Sequence, residues 1–129
     1  MRAFFQSRGS SFKHAFAGWW YVVRTQKNAW IHATATVCVA AMGLWLGLPL
    51  RDWAVLILTV ALVWTAEFLN TALEAVVDLA SPERHPLARV GKDVGAAAVL
   101  ITACSSVFVG ILILGPPLWH RLQTLFNHA

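Results

Sequence analysis

The run Trp53–Ala80 constrains this chain most. It holds 28 residues, nearly all apolar, and its second half carries Glu67, Asn70, Thr71, Glu74 and Asp78. As a helix rising ~1.5 Å per residue it is about 42 Å long, against a hydrocarbon layer about 30 Å thick. Roughly two turns must protrude, or the helix must tilt. At about 100° per residue with Glu67 as origin, Asn70 falls near 300°, Thr71 near 40°, Glu74 near 340° and Asp78 near 20°. The polar groups therefore form one stripe, and Phe68, Leu69, Leu73, Val76 and Val77 cover the remaining surface. Carboxylates are costly in lipid and face a partner helix, a cavity or a substrate. Glu67 sits about 21 Å into the helix and is submerged, whereas Glu74 and Asp78, at about 32 and 38 Å, reach the headgroups or water.

The composition agrees with a chain that lives in a bilayer. Of 129 residues, 58% are hydrophobic and 12% charged, with a mean hydropathy of +0.62, where an ordinary soluble domain is about 25% charged. The net charge of +4 comes with no nucleic-acid recognition motif, so no nucleic-acid partner is expected. Cys38 and Cys104 each lie inside an apolar run and read as small packing groups. No apolar segment follows the basic N-terminus at signal-peptide distance, so a cleavable signal is not expected.

Periodicity predicts four helical stretches. From about 10 to 27, Phe12, Ala15, Phe16, Trp19, Val22 and Val23 share a face, with Lys13, Arg24 and Lys27 on the opposite edge. This is an amphipathic surface helix, too short and too charged to span, with Ser10 or Ser11 able to cap it. Gln26 falls on its buried side. Spans follow at about 30–48, 53–80 and 86–114, with His32 at the entry of the first. Asp52 is suited to capping the second, and Gly115-Pro116-Pro117 to ending the third. Gly91 and Gly95 form a G-x-x-x-G pair that permits close helix approach. Ser81–Pro86 is a polar link, and residues 118–129 form a short, weakly amphipathic tail. The fold class is all-α integral membrane: a surface helix plus three transmembrane helices.

Three spans put Arg2, Arg8, Lys13, Arg24, Lys27, Arg84, Arg89 and Lys92 on one side, and only Arg51 and Arg121 on the other. The positive-inside rule then makes the N-terminus and the 81–93 link cytoplasmic. Trp19, Trp20 and Trp30 would form the inner aromatic belt and Trp45, Trp53 and Trp119 the outer one, which leaves Trp64 as a packing residue.

The carboxylates, Lys92 and Asp93 meet at the cytoplasmic face, where ATP and lipid headgroups are both within reach. Phosphoryl transfer needs carboxylates for Mg²⁺, a cation for phosphate charge and a base for the acceptor hydroxyl. Glu67, the deepest, could meet a hydroxyl arriving from the lipid, and Glu74 could hold the metal. A structural network pairing Glu67 and Glu74 with Lys92 or Arg89 is the plainer alternative. Asp78 reads as a cap or surface group and His85 as a loop hydrogen-bonder. Neither a Walker-type glycine loop nor the protein-kinase glycine loop is present. A small cation-coupled membrane transporter would also place carboxylates inside a span.

Glu67-Phe-Leu-Asn70-Thr71-Ala-Leu-Glu74-Ala-Val-Val-Asp78, followed by His85 and Lys92-Asp93-Val-Gly-Ala-Ala-Ala-Val-Leu100, resembles the signature of the small prokaryotic diacylglycerol kinase family, which includes the undecaprenol kinases. The resemblance covers nearly the whole chain and implies one membrane-embedded lipid kinase domain over residues 1–129. It implies ATP-dependent phosphorylation of a membrane lipid alcohol, in phospholipid metabolism, by a homotrimer in the bacterial inner membrane, with sites shared between subunits. By position, Glu67 would be the catalytic base and Asn70 would sit near the transferred phosphate. Glu74 would bind Mg²⁺, and Glu83, His85, Lys92 and Asp93 would hold the nucleotide. The family usually has E-x-N-x-R-I-H on and after the surface helix, with its Glu as second metal ligand. Here the stretch is Gln26-Lys27-Asn28-Ala29-Trp30-Ile31-His32. The Gln26 amide oxygen can still coordinate Mg²⁺, without charge and more weakly. Asn28 and Ile31-His32 look closer to the undecaprenol kinase branch. The departures at Gln26 and Trp30 also fit an inactive family member that binds lipid.

Overall fold

The computed structural model describes the backbone of residues 2–83 and 85–127, and within these bounds the side chains from residue 11 onward. The side chains of Arg2, Arg8 and Ser10, all of Arg84, and residues 128–129 lie outside this description. Four helices follow one another: α1 (Arg2–Thr25), α2 (Lys27–Leu46), α3 (Leu50–Ala80) and α4 (Pro86–Asn127). Among the described residues, α2, α3 and α4 are long and apolar enough to cross a membrane.

The helix ends differ from the periodicity-based bounds for identifiable reasons. The helical backbone of α1 begins at Arg2, well before the expected cap at Ser10 or Ser11. It ends at Thr25, because Gln26 takes an extended conformation (φ −97°, ψ 118°) and forms a one-residue joint to α2. Lys27 and Asn28 therefore belong to the first apolar helix, not to the surface one. That helix ends two residues early because Gly47 adopts the left-handed region at φ 69°. Its N–H donates to the Leu44 carbonyl at 3.2 Å, and Leu48 N–H donates to Gly43 at 3.1 Å. This is a Schellman closure, which favours glycine. Helix α3 starts at Leu50, so Asp52 lies within the first turn, where its charge complements the helix dipole.

The largest departure is α4. Gly115-Pro116-Pro117 was expected to end it, yet the helix continues to Asn127. The prolines remove two N–H donors, but their fixed φ is compatible with a helix. Contacts on both sides hold the continuation in line. Leu114 is buried with Leu48 and Leu56, and the Arg121 guanidinium lies 5.9 Å from the centre of the Trp45 ring.

Helix α3 is central, packing along α4 and touching α1 and α2. At the Gly47 end, Leu48, Leu56 and Leu114 are buried against Val39, Met42, Leu46, Trp53 and Ile113. Trp53 lies flat on Gly43, where a Cβ would come within 2.9 Å of the indole. The other half of α3 buries polar groups instead. Glu67, Asn70 and Thr71 are its buried residues there, while many large apolar side chains on α2–α4 face outward. A chain with its polar atoms inside and its leucines outside is built for lipid or for other copies of itself.

Candidate active site

The stripe read from the sequence exists, and it faces inward at its deep end. Glu67 is 1% exposed. Thr71, one turn on, satisfies the helix by donating its hydroxyl to the Glu67 carbonyl at 2.9 Å. The Glu67 carboxylate points towards α2, where His32 Nε2 stands 3.8 Å from its Oε2.

Two turns nearer the Ala80 end, two amides bracket Glu74. Asn70 Nδ2 donates to Oε1 at 3.1 Å, and Gln26 Nε2 donates to Oε2 at 3.3 Å. The extended φ/ψ of the α1–α2 joint allows this second contact, because it turns Gln26 inward across to α3. Asn70 itself is held against α4 at Gly95, where a Cβ would strike Asn70 Oδ1. Gly91, the other half of the G-x-x-x-G pair, has only Val77 Cγ2 within reach, at 3.8 Å. The motif thus has one working glycine, and its role is to accommodate an amide of the site.

Trp64 fixes the depth at which these elements meet. Its Nε1–H donates to Thr36 Oγ1 at 3.3 Å. Its ring stacks on Trp19 at 6.4 Å, meets His32 edge-on at 6.3 Å and lies 6.0 Å from Phe68. One indole thereby ties α1, α2 and α3 together beside Glu67.

The Ala80 end opens into a groove of about 590 Å³ between the end of α3 and the start of α4, lined among others by Asp78, Glu83, His85, Arg89, Lys92 and Asp93. Lys92 Nζ pairs with Asp78 Oδ1 at 2.5 Å, and Arg89 Nε lies 3.6 Å from Asp93 Oδ2. His85 Nδ1 accepts the Leu87 N–H at 3.2 Å, capping the first turn of α4. Glu83 accepts the Ser81 hydroxyl through its backbone carbonyl at 3.0 Å, leaving its carboxylate free of that contact.

The eight residues singled out from the sequence therefore fall into two neighbouring groups. Glu67, Asn70, Glu74 and Gln26 converge between α3 and the α1–α2 joint. Glu83, His85, Lys92 and Asp93 line the groove beyond, and Asp78 connects the two groups along α3. The plain ion-pair alternative is not what forms among the described residues, since Lys92 and Arg89 take Asp78 and Asp93 and neither reaches Glu67 or Glu74. Two contributors escaped the sequence reading. Asp78 is a partner of Lys92, and His32 is a neighbour of Glu67. The i+4 step from Glu74 marks the former, and nothing in spacing alone marks the latter.

The donor set suits Mg²⁺ carried by a nucleotide. Among the described residues there is no cluster of three or more ligand-type side chains, and Mg²⁺ typically takes one or two carboxylates with phosphate oxygens and water completing the octahedron. Glu74 is such a carboxylate. It is half-buried, engaged only by neutral amides, and one helical turn from the Lys92–Asp78 groove. Gln26 adds an amide whose carbonyl oxygen is not used in the contact to Glu74.

Comparison with known proteins places the chain among membrane lipid kinases. The family model described as prokaryotic diacylglycerol kinase matches residues 13–114. The chain is 39% identical over 108 residues to an undecaprenol kinase of Bacillus subtilis, covering 84% of this chain and 88% of that protein. It is 46% identical over 109 residues to a diacylglycerol kinase of Synechocystis, covering 84% of this chain and 62% of the relative. A diacylglycerol kinase of Escherichia coli K12 is 36% identical over 95 residues, covering 68% of this chain and 78% of that protein.

Proposed function

The chain belongs to the prokaryotic diacylglycerol kinase family, and from that premise we propose that it transfers the γ-phosphate of ATP to a membrane lipid hydroxyl, with undecaprenol favoured over diacylglycerol. The observation that carries this reading is the continuity of one helix face. It begins at a buried carboxylate, Glu67, and leads through Asn70 and Glu74 to a groove with a lysine at its wall. A lipid alcohol reaches the first from the membrane and ATP reaches the last from water. The preference for undecaprenol rests on the Asn28 and Ile31-His32 pattern.

In this mechanism Lys92 leaves Asp78 for the phosphates, and Glu83, His85 and Asp93 hold the rest of the nucleotide. Glu74 and Gln26 would hold Mg²⁺, which would offset the charge on the phosphate oxygens. Asn70 keeps Glu74 aligned through its amide and lies beside the phosphate in transit. Glu67 accepts the proton of the lipid hydroxyl as its oxygen attacks phosphorus, and the bond to ADP breaks on the opposite side. Positioning and charge do most of the work, as phosphoryl transfer requires. The enzyme acts as a homotrimer in the bacterial inner membrane with its N-terminus cytoplasmic. The outward-facing apolar surfaces of α2–α4 and the eight-to-two distribution of basic residues support this.

Radiolabelled ATP with the detergent-solubilised protein and a panel containing undecaprenol and diacylglycerol tests the proposal. Label should move to lipid, fastest to undecaprenol. Glu67→Gln should abolish transfer and leave the assembly intact. A fully active Glu67→Gln removes the base, and a panel with no labelled lipid removes the kinase reading.

A further inference from the structure

The contact between Glu67 and His32 carries more than packing. Glu67 is buried at 1% exposure and His32 is partly buried at 12%, its Nε2 atom inaccessible, and they approach within 3.8 Å through His32 Nε2 and Glu67 Oε2. Neither atom has a hydrogen-bond partner, nor has Asn70 Oδ1. Two buried, unpartnered polar atoms aimed at one another are expensive as pure structure. They are economical as a pair that shares a proton, because a movement of less than about 1 Å closes the bond. Trp64 meets the ring edge-on at 6.3 Å. His32 also lines a small cavity of about 70 Å³ bounded by residues of α2, α3 and α4, among them Thr36, Thr59 and Ser106. A space of that size with hydroxyls on its wall admits water. Among the described residues the pair has no other ion-pair partner.

Resting on the assignment of Glu67 as base, we propose that His32 is its positioning residue: its Nε2 receives the proton that Glu67 removes from the lipid hydroxyl. As the acceptor O–H breaks, its proton goes to Glu67 Oε2 while the oxygen's electron pair forms the new bond to phosphorus. The P–O bond to ADP breaks and ADP keeps those electrons. The proton then passes from Glu67 Oε2 to His32 Nε2, which restores the carboxylate and leaves an imidazolium that discharges to water after product departs. The neutral ring must carry its proton on Nδ1 for this to work.

The test measures lipid phosphorylation and thermal stability for the purified protein and for His32→Gln, which keeps an amide near Glu67 but cannot accept a proton. The expected result is a fall in kcat of tenfold or more, with both KM values within twofold and an unchanged melting temperature. His32→Ala should be equally slow and should regain rate on addition of imidazole, which a purely structural role would not permit. If His32→Gln melts well below the native protein, imidazole rescue of His32→Ala decides, and its absence overturns the proposal. Glu67→Gln is assayed alongside. If it is active, the base assignment falls and His32 with it. If it is inactive while His32→Gln runs at the native rate, only the role of His32 is overturned.

Discussion

Gly95→Ala asks whether the amide that aligns Glu74 is held by packing. An added Cβ would run into Asn70 Oδ1 and come within 3.2 Å of Leu73 Cδ2. Asn70 cannot swing aside freely, because it is 8% exposed and its Nδ2 is tied to Glu74 at 3.1 Å. Overpacking a filled site costs about 1–3 kcal/mol, and losing a hydrogen bond to a charged group about 1.5–3 kcal/mol. Alanine recovers about 1 kcal/mol over glycine inside a helix. The net is a destabilisation of about 1.5–5 kcal/mol. Gly91→Ala is the control, since its nearest neighbour is Val77 at an ordinary 3.8 Å, and only the helical gain of up to about 1 kcal/mol remains. Denaturant unfolding in detergent of both variants, of Asn70→Ala and of the double variant Asn70→Ala/Gly95→Ala reads the difference. Removing the Asn70 side chain should erase at least half of the Gly95→Ala penalty, since the two share one contact. Equal stability of the Gly91 and Gly95 variants, or a penalty unchanged without Asn70, would refute the reasoning.

Two further outcomes bear on the metal and the nucleotide. Gln26→Glu should lower the Mg²⁺ concentration for half-maximal rate, because a second carboxylate then faces Glu74 across a 3.3 Å contact; a titration without change means that position 26 does not touch the metal. Lys92→Met should raise the KM for ATP about tenfold or more, the worth of one hydrogen bond to a charged group, without altering the KM for lipid. An unchanged KM for ATP would detach the Asp78–Lys92 groove from nucleotide binding.

The polar stripe was legible because its signal is thermodynamic. Carboxylates in an apolar helix must face something, and the 3.6-residue period says which way. The site's other wall was not legible, because it depends on a single dihedral pair. Periodicity puts Gln26 on the buried side of the surface helix and the resemblance puts it at the metal, but only its extended conformation, which ends α1, sends the side chain to Glu74. The G-x-x-x-G motif was read as symmetric, but which glycine is crowded depends on the register of α4 against α3, and that register places an asparagine opposite Gly95. The same register hands Lys92 to Asp78 and keeps it from Glu74. Gly115-Pro116-Pro117 misled for another reason. Proline penalises a helix locally, whereas the continuation of α4 is held by Leu114 and Arg121 on distant partners.

The hinge at Gln26 has a mechanical consequence. Helix α1, 24 residues and so about 36 Å long, is a lever whose fulcrum also donates a hydrogen bond to Glu74. A tilt of that lever would reach α3 at two places, the Gln26–Glu74 contact and the Trp19–Trp64 stack.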